Sequence, residues 1–238
     1  MDQEQYFNRI SDEYDRGVRP LKKVYDQVAA SLNPMIEDAT VLDVGNGGQF
    51  PYNTRLPKKI IAMDVAKAML DKIVDPNVTK VVDDARSMDS IPDSSIDVII
   101  FQWVLHHITG DTLRENGLAL RKVLEASMRK LKPGGLLAVT ETVLNEAMYT
   151  VQNILYPATR RVLKSSGRSM IAFFTRSVLV DAISGSCGIA KGDVRVSDLD
   201  FDGWIDPLVG SYPGIVRIPY WLNPTRFVMF MARKSPCE

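Results

Sequence analysis

Short apolar runs that end in acidic or polar residues alternate along the middle of the chain with stretches whose apolar positions recur at helical spacing. Val41-Leu42-Asp43-Val44, Ile60-Ile61-Ala62-Met63, Val78–Val82, Ile96–Phe101 and Leu136–Thr140 have the length and β-branched content of strands buried on both faces. Between them, 66–73 predicts a short helix. Thr112–Leu131 predicts a long one, with Leu113, Leu118, Leu120, Val123, Leu124 and Met128 on its period and Lys132-Pro133-Gly134-Gly135 as its stop. Upstream, residues 3–33 carry two stripes, Tyr6, Phe7, Ile10 and Tyr14, then Leu21, Val24, Tyr25, Val28 and Leu32, with Pro20 separating two helices or starting the second. Downstream, 144–166 predicts a helix with Tyr149, Gln152 and Tyr156 on one face, Thr175 caps another, and Asp193–Phe201 and Arg226–Ala232 predict the last strands. Strands that alternate with helices in this way point to an α/β protein built on a parallel sheet.

The first strand runs directly into Gly45-Asn46-Gly47-Gly48, a turn suited to bringing bare backbone against a ligand. Asp64 closes the second apolar run, where a parallel strand would set a carboxylate beside a ribose. The pair reads as the edge of a nucleoside site. Asp84-Ala85 follows the third strand, and Phe101-Gln102-Trp103-Val104-Leu105-His106-His107 follows the fourth. His106 and His107 are the only histidines, and an imidazole titrates in the range a general base needs at neutral pH. Glu141 stands at the carboxyl end of the fifth strand, with a pocket or solvent as its two destinations.

In this order, Val41–Gly48, Asp64, Asp84-Ala85, Ile96-Asp97-Val98-Ile99, Leu105-His106-His107 and Leu131-Lys132-Pro133-Gly134-Gly135 resemble the class I S-adenosylmethionine-dependent methyltransferases of the small-molecule type, over roughly residues 38–142. The resemblance implies a Rossmann-like, seven-stranded, mostly parallel sheet with the last strand antiparallel, flanked by helices. It implies one domain over 1–238, with an N-terminal helical lid (1–36) and an inserted helical cap after the fifth strand (143–175). S-adenosylmethionine is the implied cofactor, contacted by Tyr14, Gly45, Asn46, Gly47, Asp64, Val65, Asp84, Ala85, Phe101 and Gln102, with His106 and Glu141 as catalytic candidates. Tyr6-Phe7, Ile10 and Tyr14-Asp15 match an N-terminal segment that often folds over the cofactor in such enzymes.

One stretch departs from the family pattern. Gln49 stands at the usual third glycine position, Pro51 and Pro57 interrupt the first crossover, and Asp64 follows Gly48 by only 16 residues, against about 20 in the general dinucleotide-binding pattern. That crossover is expected to be a turn or loop rather than a helix.

Composition narrows the acceptor. Lys+Arg and Asp+Glu both number 29 in 238 residues, so no net field favours a polyanion; a small molecule is expected, not nucleic acid. Two cysteines, Cys187 and Cys237, indicate neither a disulfide framework nor zinc, and no His/Asp/Glu spacing indicates another metal. No apolar run approaches the ~20 residues of a membrane span, and the polar, acidic N-terminus is unlike a signal peptide, so the expectation is a cytoplasmic monomer or homodimer. Methyl transfer to an oxygen or nitrogen is the leading reading. Intramolecular cyclisation of the cofactor with release of methylthioadenosine, a cyclase on this fold, and an inactive binding protein are the alternatives.

Overall fold

The computed structural model describes residues 3–9, 21–165, 170–205 and 218–236. Helical residues 3–9 (α1) precede α2 (Lys22–Ile36), and β1 (Thr40–Val44) and β2 (Lys59–Asp64) follow. Then come α3 (Lys67–Asp71), β3 (Val78–Val82), β4 (Ile96–Gln102), α4 (Leu113–Lys130) and β5 (Leu131–Leu144). The rest is α5 (Glu146–Ser165), β6 (Phe174–Thr175), α6 (Arg176–Cys187), β7 (Arg195–Leu199), a small hairpin of β8 (Trp204–Ile205) and β9 (Ile218–Pro219), and β10 (Thr225–Arg233). The main sheet runs β3-β2-β1-β4-β5-β10-β7, with β6 pairing on β5 beyond that path. Strands β1 to β5 are parallel to one another, and β10 lies antiparallel between β5 and β7. Strand order reverses between β1 and β4, which opens a crevice at their carboxyl ends.

Alternation along the strands divides the core into two layers. Leu42, Ile99, Phe101, Leu137 and Val139 face α4 and α6, where Val123, Leu124, Leu179 and Ile183 meet them. Val41, Ile60, Val98, Ile100 and Ala138 face the opposite way, onto Val24, Val28, Leu32 and Ile36 of α2. Burial on both sides is why these strands read as continuous apolar runs rather than alternating ones.

Several boundaries differ from the sequence reading. β5 starts at Leu131, so Lys132–Gly135 sits within the strand and not in a separate turn; the register between β4 and β5 shifts there, with Gly134 at φ +73°. α4 rests on the sheet through Leu120, Val123, Leu124 and Ser127, while Leu113 and Leu118 are 38% and 47% exposed despite their helical spacing. Its start is fixed by a capping box, Glu115 N–H to Thr112 Oγ1 and Thr112 N–H to Glu115 Oε2, both 3.2 Å. No helix occupies 45–58, so the first crossover is the loop that its prolines require. Thr175 caps α6 by accepting from the Val178 N–H. The proposed cap region begins inside β5, and its helix α5 turns Tyr156 inward, where the hydroxyl donates to the Gly110 carbonyl at 2.9 Å. Gln152 clamps the backbone of Phe173 through both ends of its amide, which makes that face a packing surface.

Candidate active site

The chain leaves β1 through Gly45 (φ +65°) and Gly47 (φ +60°), left-handed geometries that a side chain disfavours. A Cβ on Gly45 would also stand 2.6 Å from Val104 Cγ2. The Gly45 N–H donates to the Met63 carbonyl at 2.7 Å, which ties the turn to the end of β2. Asn46 stitches the turn from below: its Nδ2 donates to Asp43 Oδ2 and to the Gln49 carbonyl, both 2.9 Å, and its Oδ1 accepts from the Gly48 N–H at 3.0 Å.

Asp64 is largely buried at the end of β2 and accepts from the Ala66 N–H at 2.8 Å. Burial raises its pKa, against the backbone N–H groups of Ala66, Gly47 and Val65. At the end of β3, Asp83 folds back to accept from the N–H groups of Asp84 and Ser90 at 2.7 Å each. Asp84 takes the Arg86 N–H at 2.8 Å and the Arg86 guanidinium, and although burial acts the other way, these hold its carboxyl below the usual range.

The opposite wall comes from the segment after β4. Trp103 adopts φ +54°, and its N–H donates to the Thr140 carbonyl at 2.8 Å. Next comes a 3-10 turn, Leu105–His107. His107 lies on the cavity wall, and burial, with the neighbouring His106, pushes its pKa well below the ordinary value, so it is neutral at neutral pH. α1 lies across the opening. Gln3 Nε2 donates to the carbonyls of His107 (2.6 Å) and Met170 (3.1 Å), Phe7 meets the His107 ring edge-on at 4.9 Å, and Asn8 Oδ1 accepts from the Ala68 N–H at 3.0 Å. Both walls of the crevice are thereby bridged over a cavity of about 310 Å³.

Gly45, Gly47, Asp64, Val65, Asp84 and Ala85 all line this cavity. Four other candidates lie beside it. The Asn46 side chain is turned into the Asp43 network. Phe101 packs fully buried in the layer beneath α4. Gln102 is 7% exposed with neither side-chain amide atom partnered, and His106 pairs with Glu141. Tyr14 lies outside the described residues. Glu141 goes to neither destination considered from sequence. It is 1% exposed, accepts from the Leu105 N–H at 2.6 Å through Oε1, and holds His106 Nδ1 at 2.7 Å through Oε2. The His106 ring stacks on Phe173 at 5.1 Å. Cavity residues that sequence reasoning did not assign to the site include Gln3, Val104 and Ile108, for which no motif gave a signal; His107 carried one, as a neighbour of His106.

The cradle fits a nucleoside with a charged tail. Two glycines at positive φ line it, carboxylates stand at the ends of two adjacent strands, and beside it the buried Gln102 amide is unpartnered.

Residues 42–139 match the family described as "Methyltransferase domain". No curated protein matches the chain significantly by sequence. Among solved structures, a complex of the Haloferax volcanii Trm112 methyltransferase activator with a methyltransferase contains a chain similar to this one at 15% identity, TM-score 0.61, covering 98% of each chain. A SAM-dependent methyltransferase from Thermotoga maritima is 18% identical, TM-score 0.60, covering 97% of this chain and 99% of that one. Geranyl diphosphate C-methyltransferase from Streptomyces coelicolor, with S-adenosyl-L-homocysteine bound, is 11% identical, TM-score 0.57, covering 88% and 77%. With the glycine turn, the strand-end carboxylates and the reversed strand order, the match identifies residues 42–139 as a methyltransferase domain of the class I, S-adenosylmethionine-dependent type.

Proposed function

We propose that the chain transfers a methyl group from S-adenosylmethionine to an oxygen or nitrogen of a small-molecule acceptor, with 1–238 acting as one domain, as monomer or homodimer. When bound, the cofactor supplies an already activated methyl, so the protein's work is to bind, orient and keep the site dry. In this reading Gly45 and Gly47 give the methionyl part room against the backbone. Asp64 accepts from ribose hydroxyls, and Asp84 with the Ala85 N–H reads the adenine edge. α1 excludes water, and Tyr14 is a proposed cofactor contact. With His106 Nδ1–H donating to Glu141, Nε2 is the ring nitrogen that serves as the base for an acceptor that must lose a proton.

The observation that carries the proposal is a lidded cavity bounded by the glycine turn, Asp64 and Asp84, with a neutral imidazole on its wall and a carboxylate–imidazole pair beside it. Balanced charge supports a small acceptor over a nucleic acid. The test is incubation with S-adenosylmethionine and a panel of phenols, amines and activated carbon acids, with mass analysis of both products. S-adenosylhomocysteine that accumulates only with a phenol or amine supports the reading. Methylation of carbon replaces the acceptor atom, methylthioadenosine without an acceptor replaces the reaction, and turnover only with an added activator protein replaces the monomer or homodimer.

A further inference from the structure

The loop that stands in place of the first crossover helix sends one side chain back under the glycine turn. Tyr52 is 6% exposed and its hydroxyl donates to Asp43 Oδ2 at 2.8 Å. Asn46 Nδ2 donates to that same oxygen, and Asn46 Oδ1 in turn holds the Gly48 N–H. Asp43 is completely buried, and its other oxygen, Oδ1, has no partner among the described residues. A residue of the loop is thus linked through one carboxylate to the backbone that must meet the cofactor.

We propose that Tyr52 is a positioning residue for the cofactor: through Asp43 and Asn46 it sets the shape of the Gly45–Gly48 turn, and cofactor affinity follows the ionisation of Asp43. An ionised carboxylate accepts from both donors at once. A protonated one is a weaker acceptor, so its hold on Tyr52 or Asn46 slackens and the turn loosens. The surroundings bring this exchange into an accessible range. Burial, only partly opposed by the donors Tyr52 and Asn46, raises the pKa of Asp43 to about 7, and Asp64 on β2 adds a smaller push in the same direction. Its flanking residues on the sheet, Ala62 and Ile100, are apolar, as are the buried residues of α2 on that face, Val24, Val28, Leu32 and Ile36. Asp64 is therefore the charged group that acts on it.

The experiment is calorimetric titration of the full chain with S-adenosylhomocysteine from pH 5.5 to 9, for the wild type, Tyr52→Phe and Asp43→Asn, each checked for folding by circular dichroism. Wild-type affinity should rise with pH and level off above neutrality. Tyr52→Phe removes a donor that favours the carboxylate, so its curve should shift up by about one pH unit, with affinity roughly fivefold weaker near pH 7 and recovering at pH 9. Asp43→Asn should bind with no such pH dependence. A Tyr52→Phe curve that overlays the wild type, or one lowered equally at every pH, overturns the proposal. So does a rising curve that survives in Asp43→Asn. No binding by the folded wild type at any pH would instead remove the cofactor assignment itself, a result distinct from all of these.

Discussion

Replacing Glu141 by glutamine tests whether the buried pair beside the cleft works on the acceptor or only holds the wall. Glu141 is 1% exposed, and its two oxygens take two different donors, the Leu105 N–H at 2.6 Å and His106 Nδ1 at 2.7 Å. A glutamine keeps one acceptor but sets its NH2 against the other donor, which leaves a buried N–H without a partner. A bond to a charged group contributes about 1.5–3 kcal/mol, and an unsatisfied buried donor costs about 1–3 kcal/mol, so the expected loss of stability is about 2–3 kcal/mol. For a domain of this size that lowers Tm by roughly 4–12 °C, measurable by scanning calorimetry. At a temperature where both proteins stay folded, kcat should fall about 100-fold or more, the scale on which a positioned base contributes. Binding of S-adenosylhomocysteine should be unchanged, because neither residue lines the cavity proposed for the cofactor. A lowered Tm with full turnover would make the pair purely structural and refute its role as base. An unchanged Tm would refute the energetic reasoning as well.

Asp64→Ala should weaken S-adenosylhomocysteine binding by about 1.5–3 kcal/mol, roughly 10- to 150-fold in Kd by calorimetry, and unaltered affinity in a folded variant removes the ribose role. Gly45→Ala should cost about 1–2 kcal/mol of stability from its φ of +65° alone, with Val104 forced aside in addition; a urea midpoint equal to that of the wild type would disprove the strain. His107 is held neutral in the folded chain, whereas the unfolded chain takes up a proton as pH falls below about 6.5, so its contribution to stability is present above that pH and lost below it. Asp43, raised to about 7, acts in the opposite sense: the stability from its protonated form is complete below its ordinary value of 3.8 and lost as pH rises through 7. His107→Gln should accordingly make folded stability fall more steeply as pH rises from 5 to 7, and a slope equal to that of the wild type in urea titrations would show that His107 titrates normally.

What was legible in the sequence follows from where a residue's environment is decided. Strands β1, β2 and β4 could be read because both faces are covered, so composition alone marks them, and their parallel order places Gly45, Asp64 and the segment after Gln102 at one edge. The absence of a first crossover helix was readable too, because Pro51 and Pro57 forbid it locally. Glu141 was undecided for a different reason. Its direction depends on the pleat: Leu137 and Val139 face α4, so Glu141, two residues further on, faces the same way and meets the Leu105–His107 turn. That parity is in the sequence, but it carries meaning only once the layer under each face is known. Leu113 and Leu118 misled because helical spacing records which residues share a face, not how wide a stripe the sheet covers. The contacts made by α1 and by the loop after β1 were least legible. Gln3 reaches the His107 carbonyl across 104 positions by an amide-to-backbone bond that many side chains can make, and Tyr52 reaches Asp43 through an irregular loop. Strand ends are fixed by topology and loop partners by three-dimensional closure, so the parts of this site that can change between related chains while the sheet stays constant are those the loops supply.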